Sequence, residues 1–247
     1  MSLLSRRWLA FAFALAAAVA GESLLLLSAQ IAGFEKVSRE DFRVSFFLKS
    51  ELPDNRRQVL EDKLLGLEGV ESVRFVARDE ALAALRQEDP ELADSIAWMG
   101  ENPLPSAFEV RPRAGALGHF EDWLQVVRGA AEWSDVRFRP AQVRAILQAA
   151  LYGRFLSLVL SFLLCVAAVI LVVGLWRSPA RFSWAAMPGA LLPACGAAGG
   201  MLLALAAAWP ARPYLPWWHL PRAVDQIILW AAAALAASAI SSWPASD

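Results

Sequence analysis

The chain is poor in the residues that most enzymes use for chemistry. Its 247 residues hold two histidines, two cysteines and three lysines. Lys36, Lys49 and Lys63 sit in no Gly-x-x-x-x-Gly-Lys-Ser/Thr context, so the chain lacks the backbone cradle and the lysine that neutralise nucleotide phosphates. Any ATP hydrolysis must then come from a partner. His119 and His219 are too far apart in the topology to read as a zinc pair; His119 reads as a helix-surface residue and His219, beside Trp218 and Pro221, as an interfacial one. Cys165 and Cys195 both fall in apolar runs, where they read as small packing residues. The charged part of the chain has no cysteine, so its stability cannot depend on a disulfide. No glycosidase dyad can be chosen among the scattered acids. The expectation is a protein that is not an enzyme, with no cofactor and no metal.

Charge is also absent from long stretches. Only 19% of residues are charged, against 57% hydrophobic, and 37 of the 47 charges fall in residues 32–150. Outside that block lie four apolar runs, Trp8–Ile31, Phe155–Leu175, Trp184–Trp209 and Val224–Trp243, each near the roughly 20 residues a bilayer span needs. This layout predicts a membrane protein with four transmembrane α-helices and one extracytoplasmic domain between the first and second spans. The expected divisions are 1–31 for the cytoplasmic N-terminus and first span, 32–150 for the outer domain, and 151–247 for the remaining spans. Arg6 and Arg7 place the N-terminus in the cytoplasm by the positive-inside rule, and Arg177 and Arg181 do the same for the loop between spans two and three. Arg212 and Arg222 lie in the outer loop and run mildly against it. Residues 32–150 are then outside the cytoplasm, periplasmic in a bacterial inner membrane, and the C-terminus is cytoplasmic. Ser5-Arg6-Arg7 with Ala18-Val19-Ala20 also fits a cleaved secretory signal, but Leu24–Leu27 prolong the run to spanning length. Pro213, Pro216, Trp217, Trp218 and Pro221 read as an interfacial hairpin. The outer block carries 16 basic and 21 acidic residues, which gives no electrostatic attraction for nucleic acid.

Within the block the periodicity alternates between strand and helix. Phe42, Val44, Phe46 and Leu48 keep a two-residue period. Pro53 can take an early helix position, and Val59, Leu60, Leu64 and Leu67 recur at helical spacing until Gly66 and Gly69. Val73, Phe75 and Ala77 repeat the strand pattern, and Asp79 can cap a helix bearing Ala81, Leu82 and Leu85. Phe108 and Val110 alternate again, Phe120, Leu124 and Val127 mark a helix, and Val136 and Phe138 a closing strand. This order predicts an α+β domain of the split βαβ, ferredoxin-like kind.

The stretch Glu88–Phe108 is the least explained by core packing. Ile96, Trp98 and Met99 crowd among Pro90, Gly100, Pro103 and Pro105, where no long element is expected. Either they pack down as a loop clasp, or they form an exposed apolar patch that receives another protein. On the second reading the insertion, about 89–105, holds the partner-binding residues Leu92, Ile96, Trp98, Met99, Asn102, Pro103, Leu104 and Pro105.

Glu101-Asn102-Pro103-Leu104-Pro105-Ser106-Ala107-Phe108-Glu109-Val110, together with Val70–Val76 running into Asp79-Glu80-Ala81-Leu82, resembles the FtsX family of cell-division permease-like proteins. The two prolines make the segment a stiff entry into a strand. The resemblance spans about Phe42–Val143 and extends to the four-span order. It implies a multi-pass protein of the bacterial inner membrane, a homodimer, that pairs with a cytoplasmic FtsE-like ATPase. It also implies that the ATPase cycle is relayed to periplasmic murein hydrolases or their coiled-coil activators, and that the partner-binding lobe corresponds to Asp89–Gly100. The family's loop between spans two and three carries a charged helix. Here that loop is only Arg177–Ser183, without an acid, which leaves Arg177 and Arg181 as the candidate ATPase contacts. The other reading is an ABC-type permease subunit exporting lipid, lipoprotein or peptide.

Two features inside the spans remain. Glu22 is the only acid well inside one, and it reads as a group near the outer interface or hydrogen-bonded between helices, with proton handling as the other use. Gly196 and Gly200 form a G-x-x-x-G step that suits close helix packing in a bundle or a dimer, beside Pro188 and Pro193, which could kink the helix.

Overall fold

The computed structural model describes residues 3–98, 102–177 and 187–241. Thirteen α-helices and strands and one 3-10 helix occur among them: α1 Leu3–Asp41, β1 Val44–Leu48, α2 Asp54–Leu65, β2 Val70–Val76, α3 Arg78–Glu88, α4 Pro90–Ala97, β3 Ala107–Pro112, α5 Ala114–Leu117, α6 Phe120–Arg128, β4 Trp133–Arg137, α7 Pro140–Arg177, α8 Met187–Ala208, the 3-10 helix Trp209–Tyr214, and α9 Ala223–Ser241. The chain divides into two compact units, Ser38–Gln148 and the pair Met1–Val37 with Ala149–Asp247.

The Ser38–Gln148 unit is built on one antiparallel sheet in the order β4-β1-β3-β2. Since β1 and β2 both run against β3, they are parallel to each other with β3 between them, so α2 crosses over a strand that arrives later in the chain. The register aligns Val136, Phe46, Phe108 and Phe75 in one row across the sheet and Val44, Val110 and Val73 in the next. Because side chains alternate along each strand, these rows share a face. They form the core with Leu64 of α2, with Phe120, Trp123, Leu124 and Val127 of α6, and with Val143 and Ile146 at the start of α7. Phe46 and Phe108 are completely buried, and truncating such a ring to alanine costs about 3–5 kcal/mol. The opposite face carries Arg137, Ser45, Glu109 and Arg74 in one aligned row. It is polar because nothing in the core needs it.

α2 opens at Pro53, whose carbonyl accepts from the N–H groups of Arg56 and Arg57, both at 2.9 Å. Pro53 is thus the capping residue rather than a residue of the helix. After α2 the chain must reverse into β2, and Gly69 takes φ +80° to do so, a region that costs a residue with a Cβ about 1–2 kcal/mol.

Several sequence expectations are corrected. α1 does not stop at Ile31 but continues through charged residues to Asp41, and α7 begins at Pro140, fifteen residues before the apolar run. A helix tolerates polar residues once one apolar segment is anchored, so hydropathy marks the span and not the helix ends. Val59 is exposed, because only Leu60 and Leu64 of its helix turn to the core. Ala77 rather than Asp79 is the residue that precedes α3, with Asp79 in the first turn. Cys165 and Cys195 are exposed rather than packed, at positions where an apolar helix surface would meet lipid.

In the other unit, Arg7–Asp41, Pro140–Gly174 and Leu191–Tyr214 are long and apolar enough to cross a membrane, and Ala223–Ala239 is a shorter apolar helix. The seam is made of small residues: Ala10, Ala14 and Ala18 of α1, Ala197 of α8, and Ala233, Ala234 and Ala237 of α9 are all buried. A methyl group at Gly196 would stand 2.7 Å from the Phe11 carbonyl oxygen, and one at Gly200 would overlap the Leu15 carbonyl oxygen. Both glycines therefore seat α8 against α1 of the same chain. Pro193 lies within α8 and is buried. Glu22 is fully buried and its Oε1 accepts from Gln226 Nε2 of α9 at 2.9 Å. Glu22 Oε2 has no hydrogen-bond partner among the described residues. The expected interfacial hairpin begins with the 3-10 helix and then returns to α1, where Gln30 Nε2 donates to the His219 carbonyl at 2.6 Å and Phe34 meets Trp217 edge-on at 5.0 Å.

Candidate partner-binding site

The site is built by α3 and α4, which leave the sheet after β2 and return to it at β3. α3 ends as Asp89 departs from helical geometry, at φ −142° and ψ 88°, and the same residue starts α4. Asp89 Oδ1 accepts from the Leu92 N–H at 3.1 Å while Pro90 fills the first helical position. These are the preferred residue types at those two places, since the carboxylate satisfies an orphan donor and proline has none to lose. The expectation of an irregular stretch is thereby corrected to an eight-residue helix; the Asp-Pro pair is the signal that could have found it.

The two helices pack chiefly on one another. Ala93 of α4 disappears from solvent, and no residue of α3 is fully buried. What remains outside is apolar. Trp98, the residue that closes α4, is 91% exposed and Leu92 is 49% exposed. The two helices and their junction carry Asp79, Glu80, Glu88, Asp89, Glu91 and Asp94 against Arg78 and Arg86, a net negative charge. Large aromatic side chains concentrate binding energy when a partner desolvates them, whereas a solvent-exposed Trp contributes nothing to folding.

The residues picked out from the sequence separate into three groups. Leu92 and Trp98 are exposed, and Ile96 is half-buried. Met99 lies outside the described residues. Asn102, Leu104 and Pro105 are partly buried and Pro103 is exposed. Asn102 is turned inward: its Nδ2 donates to the Arg78 carbonyl at 2.9 Å and its Oδ1 accepts from the Leu104 N–H at 3.1 Å. Among the other candidates, Arg177 is the last residue of α7 and Arg181 lies outside the described residues.

Ion pairs surround the base of this lobe. Arg74 pairs with Glu80, and Arg78 Nε lies 3.0 Å from Glu51 Oε1 without the alignment of a hydrogen bond. On the polar face of the sheet Arg43 meets Glu109 at 3.3 Å, beside a depression of about 320 Å³ that is also lined by Asp41, Arg137 and Arg139. Asp135 accepts from Arg137 Nε at 2.9 Å, and this bond, with a second from the Val136 N–H, holds its carboxyl below the usual aspartate range. Its stabilising effect is present above the ordinary value and fades as pH falls through the lowered one; solvent exposure of both partners keeps it small. Among the described residues no three His, Cys, Asp or Glu side chains gather as metal ligands.

Residues 41–139, from the end of α1 to the start of α7, match the family model of the FtsX extracellular domain. This stretch of the chain is similar to the FtsX family. The match covers the whole four-stranded sheet and the α3–α4 lobe, and it supports an FtsX-family protein. No curated protein matches the chain. FtsX-family proteins are permease-like membrane components rather than enzymes, associated in general with an FtsE ATPase and periplasmic hydrolases. The family and the three long apolar helices together indicate an inner-membrane protein concerned with cell division.

Proposed function

We propose that the chain is a non-enzymatic FtsX-like subunit of a cell-division ABC-type complex, which transmits the cycle of a cytoplasmic FtsE-like ATPase to a periplasmic peptidoglycan hydrolase or its coiled-coil activator. The observation that carries this reading is Trp98, 91% exposed on a helical lobe inside the matched domain. With Leu92 it supplies an apolar anchor, and the net negative charge of the two helices favours a partner whose own contact is apolar with basic residues around it.

Four spans fit this role. α9 has 19 residues, about 28 Å of helix at 1.5 Å per residue, close to the roughly 30 Å of bilayer hydrocarbon. An even number of spans keeps both termini in the cytoplasm with residues 32–150 in the periplasm. The order β4-β1-β3-β2 supports the ferredoxin-like reading of the outer domain. Arg177 and Arg181 are the ATPase contacts, and a homodimer would form on surfaces other than Gly196 and Gly200, which α1 already occupies.

The test is to replace Trp98→Glu and Leu92→Glu in the native host and to examine cell separation at matched protein abundance. The expected result is chains of unseparated cells for the double variant. Normal septation at normal abundance would remove the lobe from the mechanism.

A further inference from the structure

The α3–α4 lobe leaves the sheet through Arg78 and comes back through Asn102, and one partly buried contact joins the two crossings. Asn102 Nδ2 donates to the Arg78 carbonyl across 24 residues of chain, while Asn102 Oδ1 holds the Leu104 N–H and so fixes the direction of the Pro103-Leu104-Pro105 entry into β3. One side chain therefore sets both the closure of the lobe and the path of the strand that follows. The remaining ties at the base are ion pairs, Arg74 with Glu80 and Arg78 with Glu51, whose side chains are between two-fifths and two-thirds exposed. Water and salt screen such pairs, so each adds little to the hold on the lobe. The amide of Asn102 is partly buried and is not screened in that way. Packing gives little help, since α3 has no fully buried residue and, among the described side chains of α4, Ala93 alone is buried.

We infer that Asn102 is a latch, a positioning residue that holds the lobe carrying Leu92 and Trp98 in one orientation, and that its donor bond to Arg78 is the element whose opening frees the lobe to move. The inference rests on the proposed role of the lobe for its functional meaning, but its physical content does not. Of the two bonds, only the donor bond is a latch. Asn102→Asp keeps an oxygen for the Leu104 N–H and has nothing to donate to Arg78, so Asp behaves like Ala if the latch is the donor bond and like Asn if the turn alone matters.

The experiment is amide hydrogen exchange on the full chain in nanodiscs, comparing the native protein with Asn102→Ala and Asn102→Asp. In both variants exchange within residues 78–98 is expected to rise about fivefold to tenfold, the scale of one lost hydrogen bond, while β1 and β4 exchange as before. Unchanged exchange in 78–98 for the Ala variant would overturn the inference, as would native behaviour of the Asp variant or a uniform rise across the whole outer domain. No partner enters this measurement. A native lobe that proves irrelevant to cell separation would therefore defeat the functional proposal and leave the latch standing.

Discussion

Single residues set limits here that composition does not show. Gly69 is the one position among the described residues with φ well above zero, and an added Cβ would also stand 2.9 Å from both Ala116 Cβ and Trp123 Cδ1. Gly69→Ala is expected to lower outer-domain stability by about 2 kcal/mol, read as a fall of several degrees in the thermal midpoint. Gly115→Ala, where a methyl group meets nothing within 4 Å, serves as the control and should leave the midpoint unchanged or slightly raised. Equal behaviour of the two variants would contradict the assigned turn. The same contrast shows what a sequence reveals. Gly66 and Gly69 both read as helix stops, yet only one of them needs to be glycine for its backbone angle. Asn102 is legible as part of a proline-rich segment, but its bond to Arg78 is not, because nothing local announces which distant carbonyl an amide will meet.

At the scale of elements, alternation was a sufficient guide where one face is buried. Val44, Phe46, Phe108 and Val110 show their strands plainly, and all four are core residues. It failed for α4, where eight residues make just over two turns and Ala93 alone is buried among the described side chains; so short an apolar stripe leaves no period to detect. What specifies α4 is its beginning. Asp89→Ala removes the acceptor for the Leu92 N–H, a change that costs about 1 kcal/mol, and helices of this length are marginal without a cap. Exchange of the amides of α4 should rise about fivefold in that variant while the sheet stays protected. If α4 kept its protection, the cap would not be what holds it. Helix ends in α1 and α7 were illegible for the opposite reason: hydropathy marks where lipid lies, and both helices run on into polar sequence.

On the scale of the whole molecule, segregation of charge carried most of the account. A charged segment bounded by apolar runs leads to the expectation of a folded domain between membrane spans, and within that segment residues 41–139 match the family model of the FtsX extracellular domain. The cysteines show where that level of reading ends. An apolar run says that a residue is not in water, yet it does not say whether the residue faces another helix or lipid, and Cys165 and Cys195 are on the outside. The glycines of α8 tell the same story from the other side, since a G-x-x-x-G step does not name its partner helix and here the partner is α1.

The claim that unites these scales is that Trp98, displayed on a lobe outside the membrane, touches a periplasmic partner. Placing a photo-crosslinking amino acid at Trp98 in living cells tests location and contact together. The account predicts an adduct with a murein hydrolase or its activator, formed on irradiation and lost when Leu92 is also changed to Glu. An adduct formed only with cytoplasmic proteins, or none at all from a correctly inserted chain, would contradict it.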